Sequence, residues 1–140
     1  MPGESTTPDL VDLVRGLFDA GNRRDADAIL RFYAPDAVYD LSSVGLGRYE
    51  GHEALRGFWE DWWSTYEEYH FDPKRVSALG HGVIFAAVHE DGRLVGSDAR
   101  LSQHGGYVFR WVDGIVESVA AYSDIDEARA AAERLAEERG

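Results

Sequence analysis

Cysteine is absent from this 140-residue chain, and lysine occurs once, at Lys74. No apolar run approaches the ~18 residues that a membrane-spanning helix needs. Without cysteine there are no disulfides, no thiolate nucleophile and no cysteine-ligated metal. Positive charge is scarce: 14 Lys and Arg face 26 Asp and Glu, for a formal net charge of -12. Nucleic-acid binding draws most of its affinity from basic side chains that neutralise phosphates, so neither DNA nor RNA is an expected partner. An anionic membrane would repel the chain as well. The opening MPGESTTP lacks a basic region followed by an apolar run, so no signal peptide is read there. These absences predict a cytoplasmic protein.

Large apolar side chains, by contrast, are plentiful. A hydrophobic fraction of 44%, with 4 Trp, 7 Tyr and 6 Phe, excludes a disordered chain. The length suits one domain. The reading assigns residues 1–8 to a disordered N-terminal segment and 9–140 to a single domain.

Thr7, Pro8 and Asp9 predict a helix start, and Leu10, Leu13, Val14, Leu17 and Phe18 then recur at helical spacing until Gly21 and Asn22. Asp25 caps a second, short helix that includes Ile29, Leu30, Phe32 and Tyr33 and stops at Pro35. Residues 37–41 read as a strand, and 42–51, with Gly45, Gly47 and Gly51, as a loop. Ala54, Leu55, Phe58, Trp59, Trp62, Trp63, Tyr66 and Tyr69 predict a third helix with a wide aromatic face, from about His52 until Pro73. Residues 76–79, 82–90, 93–111 and 115–123 read as strands. Asp91-Gly92 and Asp113-Gly114 read as hairpin turns, and Gly105-Gly106 as a bulge or sharp bend. Residues 126–138 form a closing helix.

Helices followed by antiparallel strands imply an α+β architecture with helices on one face of a curved sheet. The segment Val83, Ile84, Phe85, Ala86, Ala87, Val88 is apolar at both parities, so both faces of that strand should be buried. A homodimer packed sheet against sheet is the expected cover.

The strings FYAPDAVYD, GRYEGHEALRGFWEDWW, VDGIV and AYSDIDEARAAAERL span most of the chain. Together they resemble the SnoaL-like branch of the nuclear transport factor two-like superfamily. The resemblance implies an α+β cone, cystatin-like, in which a curved, mixed but mainly antiparallel sheet carries helices on its concave face around a hydrophobic pocket. The superfamily includes polyketide cyclases, ketosteroid isomerases, limonene epoxide hydrolases and members that catalyse nothing, so the fold alone does not fix an activity.

Asp40, in Val38-Tyr39-Asp40, matches the position where isomerase-like members carry a proton-abstracting aspartate; an apolar pocket would raise such a carboxyl toward working pH. Its alternative role is to cap the loop at Ser42. The isomerase's first-helix tyrosine falls near Leu17, which cannot donate, while its strand donor falls near Tyr107. Asp124 matches an acid of SnoaL-like cyclases, but it also stands three residues before Glu127 as an acidic capping box. His104 would serve as a general acid or base if the bend at Gly105-Gly106 turned it inward, and would otherwise be exposed. Asp98 and Arg100 are similar to the epoxide hydrolase pair in reversed order, or form a surface ion pair. Catalysis is thus expected of Asp40, Asp124, His104 and Tyr107, and contact with a small hydrophobic ligand of Leu17, Tyr33, Phe58, Trp59, Trp62, Phe109, Trp111 and Tyr122. No histidine spacing supports a metal and no glycine loop supports a nucleotide, so no cofactor is expected. Two function classes remain open: a cofactor-free cyclase or isomerase acting on an apolar carbonyl compound, and a silent ligand-binding or dimerising module.

Overall fold

A computed structural model describes residues 9–140. Helix α1 (Leu10–Asn22) is capped by Asp9, whose carboxylate accepts the Val11 N–H at 3.0 Å. Thr7, Pro8 and the expected disordered segment lie outside the described residues. Val14, Leu17, Phe18 and Ala20 are the buried stripe of α1. At its end, the Asn22 side-chain amide donates to the Phe71 carbonyl at 2.9 Å and accepts the Phe71 N–H at 2.7 Å, fastening the helix to a strand 49 residues away.

Helix α2 (Ala26–Leu30) is capped by Asp25 as expected. It ends before Phe32 and Tyr33, which the sequence reading had placed in it; Tyr33 opens strand β1 (Tyr33–Asp40). Pro35 therefore lies inside a strand, in the stretch between Tyr33 and Val38 where the pairing of β1 shifts register. After a 3₁₀ turn at Ser42–Val44, β2 (Arg48–Glu50) pairs back onto β1, within the segment read as loop.

Helix α3 (His52–Thr65) is shorter than the spacing of its aromatics suggested. The Ser64 and Thr65 hydroxyls both donate to the Asp61 carbonyl, at 2.8 and 3.0 Å, and Tyr66 is already extended. Arg24 donates to the carbonyls of Trp63 and Tyr66 at 3.0 and 2.8 Å, holding this helix end against the α1–α2 corner. Tyr66 and Tyr69 belong to β3 (Tyr66–Gly80), an edge strand that tolerates Pro73. Strands β4 (Val83–Leu94), β5 (Arg100–Val112) and β6 (Ile115–Tyr122) and helix α4 (Ile125–Arg139) complete the chain.

The curved sheet runs β2-β1-β6-β5-β4-β3, parallel at β1–β6 and antiparallel at every other pairing. This is the mixed, mainly antiparallel α+β fold read from the sequence. Among the described residues no helix is long and apolar enough to cross a membrane.

Helices α1, α2 and α3 pack on one face, against Ile84, Ala86, Val88, Phe109, Val119 and Ala121. The other face is covered by α4 of the same chain, whose Ala128, Ala132 and Ala136 pack on Val83, Phe85, Ala87 and Val108. The double apolar parity of β4 thus finds its cover without a second copy.

Two turn expectations need correction. Asp91-Gly92 is not a hairpin: it lies within β4, paired to both neighbours, and the chain reverses in the loop that contains Gly96, between Leu94 and Arg100. Gly105-Gly106 is neither bulge nor bend, because β5 stays in unbroken register with β4 through it. These glycines meet close neighbours instead. A Cβ on Gly106 would stand 2.3 Å from the Ala128 Cβ, so its absence lets α4 approach the sheet. Asp113-Gly114 is the hairpin expected, with positive φ at both residues.

Candidate functional site

Between the helices and their face of the sheet lies a cavity of about 550 Å³. Its wall is aromatic and aliphatic: Phe18 from α1, Tyr39 from β1, Phe58, Trp59 and Trp62 from α3, and Phe71 from β3. One carboxylate interrupts this wall. Glu90 is only 5% exposed and is the one buried charged side chain among the described residues.

The strand geometry explains its position. Side chains alternate along β4, so Glu90 shares a face with Ile84, Ala86 and Val88. Two glycines make room for its network. Gly92, the next residue on that face, lies beneath Tyr69, where a Cβ would come within 2.7 Å of the ring. With its ring laid over Gly92, Tyr69 donates its hydroxyl proton to Glu90 Oε1 at 2.5 Å. On the neighbouring strand a Cβ at Gly105 would meet the Tyr122 carbonyl at 3.3 Å and Glu90 Oε2 at 3.4 Å, and Tyr107 donates to that carboxylate oxygen at 2.7 Å.

Burial and then the adjacent Glu90 charge push the Tyr107, Tyr69 and Tyr39 hydroxyls above their usual range. They are therefore neutral donors at physiological pH. No Lys, Arg or His side chain pairs with Glu90 among the described residues. A carboxylate in this setting has its desolvation offset by two phenols, with no cation of its own.

Of the residues expected to act chemically, Tyr107 stands in the cavity, His104 at its border, and Asp40 and Asp124 elsewhere. Asp40 follows Tyr39 in β1, so the two face opposite sides of the sheet; Tyr39 takes the cavity and Asp40 the polar groove beside α4. The Asp40 carboxylate accepts the Ser42 hydroxyl at 2.5 Å and the Ser42 N–H at 3.0 Å. These two bonds hold it below the usual carboxylate range, the reverse of the rise expected of a buried base. Asp124 is exposed and caps α4, accepting the N–H groups of Asp126 and Glu127 at 2.8 and 3.1 Å. His104 touches the cavity's border, but its exposed ring lies against His89, centroids 4.8 Å apart, because no bend turns it inward. Asp98 is exposed in the β4–β5 loop, and Arg100 pairs with Glu68 at 3.7 Å.

Among the expected ligand contacts, Leu17, Tyr33, Phe58, Trp59, Trp62 and Tyr122 line the cavity. Phe109 and Trp111 do not; they are 1% and 2% exposed and fill the core. Glu90, Tyr69 and Tyr39 went unrecognised in the sequence. For Glu90 a signal existed, since it extends the alternate apolar positions 84, 86 and 88.

The SnoaL-like domain profile matches residues 14–119. The chain belongs to the SnoaL-like domain family. A comparison with curated protein sequences finds no match. Among solved structures, this SnoaL-like domain is similar to a protein of ketosteroid isomerase-like fold from Catenulispora acidiphila in complex with trimethylamine. That likeness has TM-score 0.73 and 18% identity, over 89% of this chain and 92% of the other. It is similar to a candidate polyketide cyclase from Sinorhizobium meliloti, with TM-score 0.66 and 25% identity over 79% and 93% of the two chains. An epoxide hydrolase of the LEH-like type from M. tuberculosis gives TM-score 0.69 and 18% identity, with 89% of each chain covered. Likeness at this level concerns the fold.

Proposed function

We propose that this SnoaL-like domain binds a small, largely apolar organic molecule in the cavity, with Glu90 as its polar anchor and no cofactor. The observation that carries this reading is the buried Glu90 carboxylate, held by two phenols at the wall of an aromatic cavity of about 550 Å³. That volume suits a compound of modest size, and apolar walls with a few placed polar groups are the usual make-up of such sites. Titration with 2-acetylnaphthalene, followed by tryptophan fluorescence from Trp59 and Trp62, tests it. Saturable quenching in the native protein and its loss when Leu17→Trp occludes the cavity are expected; quenching unchanged in a folded Leu17→Trp protein would refute the reading.

A second reading is cofactor-free proton transfer on a carbonyl compound, as in cyclisation or isomerisation, with Glu90 in the role that the sequence assigned to Asp40. It is favoured by the convergence of a carboxylate and the phenols of Tyr39 and Tyr107 in one apolar space. The base would take a proton from the carbon next to the carbonyl, the C–H electron pair moving to form the enolate while a phenol donates to its oxygen. Deuterium uptake at the methyl group of 2-acetylnaphthalene in D2O, seen by NMR, measures this step. Uptake should fall at least ~100-fold in Glu90→Gln, and an unchanged rate would remove catalysis at Glu90.

A further inference from the structure

We infer that the molecule held in this cavity is an organic cation, a protonated or quaternary amine whose charged nitrogen sits between Glu90 and the surrounding aromatic rings. The inference rests on the binding reading above and names its ligand class. Three observations converge on it.

First, the charge of the cavity is unbalanced. Among the described residues Glu90 is buried without a basic partner, and no Lys or Arg side chain lies along the cavity wall. His104 borders the wall, but its exposed ring lies tilted against His89. Two phenols satisfy one acceptor site on each carboxylate oxygen; they supply hydrogen bonds but no positive charge. A cationic ligand would neutralise that charge, and an anionic one would be repelled.

Second, the space before Glu90 is ringed by aromatic side chains. Phe18, Tyr39, Trp62, Tyr66 and Phe71 all line the cavity. The rings of Phe18, Trp62, Tyr66 and Phe71 form a connected set through the two phenols that hold Glu90. Trp62 and Tyr66 lie with centroids 5.0 Å apart, Tyr66 and Tyr69 4.8 Å, Tyr69 and Phe71 5.1 Å, and Phe18 and Tyr107 5.5 Å. Aromatic walls attract cations through the ring quadrupole, most strongly when water is excluded, and enclosure by several rings is the common means of recognising a quaternary ammonium. The same walls give a neutral apolar compound only its area burial.

Third, the whole chain carries a formal net charge of -12, which favours the approach of a cation over that of an anion.

A matched pair of probes separates charge from shape. Benzyltrimethylammonium and neopentylbenzene differ by a nitrogen cation in place of a quaternary carbon. Binding of each is measured by tryptophan fluorescence at neutral pH. The cation is expected to bind the native protein at least ~10-fold more tightly than its neutral twin. In Glu90→Gln, which keeps the side-chain shape and an acceptor for the phenols, the cation should lose at least ~10-fold while the neutral probe changes less than about twofold. Equal or tighter binding of neopentylbenzene to the native protein overturns the cation assignment and leaves the apolar cavity reading standing. Loss of both probes to the same extent in Glu90→Gln also overturns it. Failure of the native protein to bind either probe sinks both readings. Because the comparison on the native protein decides the matter alone, the test survives a Glu90→Gln protein that does not fold.

Discussion

The two faces of the sheet are built from the same strands and solve opposite problems. On the α4 face, Val83, Phe85, Ala87 and Val108 meet a helix that offers little but alanine, and Gly106 lets the two surfaces close directly on each other. On the other face, large rings hold α1 and α3 away from the sheet, and the gap is an aromatic cavity with one carboxylate. Small side chains allow close packing and leave no room for a ligand. Large, stiff rings cannot fill all the space they span, so the aromatic face pays with a void and gains a site. The aromatic cavity with its buried carboxylate therefore lies on one side of the sheet, and the other side keeps only an open polar groove along α4.

This contrast can be broken most severely on the packed face. Phe85→Ala removes a ring that is 1% exposed and has the Arg129 guanidinium 5.2 Å above its centroid. It should cost about 3–5 kcal/mol in urea unfolding, with ligand affinity in any surviving native protein unchanged. On the cavity face, Tyr107→Phe keeps the ring but takes a hydrogen bond from a buried carboxylate. A loss of about 1.5–3 kcal/mol is expected, together with altered binding of the cationic probe. A change in stability with no change in binding would mean that Glu90 is a core group and not a ligand anchor.

Gly106→Ala tests the closeness of the packed face with a single methyl group. Because its Cβ would meet the Ala128 Cβ at 2.3 Å, α4 must shift, at a cost of about 1–3 kcal/mol in chemical denaturation. Asp40→Asn should have the smallest effect. Its folded-state pKa lies below the ordinary 3.8, so its contribution to stability is full above that value and disappears as pH falls through the folded pKa. The small gap in thermal midpoint between native and Asp40→Asn proteins should accordingly close on acidification, and ligand binding at neutral pH should not change. Strong loss of binding in this variant would return Asp40 to the site.

Most of the framework was legible because it depends on local rules. Asp25 as a cap, the stripe from Leu10 to Phe18, the Asp113-Gly114 turn and the closing helix all follow from spacing and from the chemistry of chain ends, although the cap of α1 is Asp9 where the Thr7 hydroxyl was expected. The family strings carried the order of elements into a curved α+β fold. Local rules failed where a distant partner decided the outcome. Tyr66 and Tyr69 continue the helical spacing of α3, yet pairing with β4 made them strand residues. Gly92 and Gly105-Gly106 look like turns and bends in isolation, but they are places where a ring, a carboxylate and a helix come close.

The site divides along the same line. Its aromatic content could be counted in advance, and the helical lining residues Leu17, Phe58, Trp59 and Trp62 were identified, because an amphipathic helix must turn such residues inward. Which acid faced the cavity could not be decided this way. Asp40 has the better motif, but the strand's period of two turns Tyr39 inward and Asp40 outward once the register with β6 is set. Glu90 has no motif, and it becomes the site's charge only through the alternation of β4, the phenols of Tyr69 and Tyr107 from the two flanking strands, and the glycines that admit them. Local sequence thus determined the elements and the aromatic walls, through forces that act within a few residues. Only tertiary structure chose the carboxylate, because strand register and close approach are set by residues far apart in the chain.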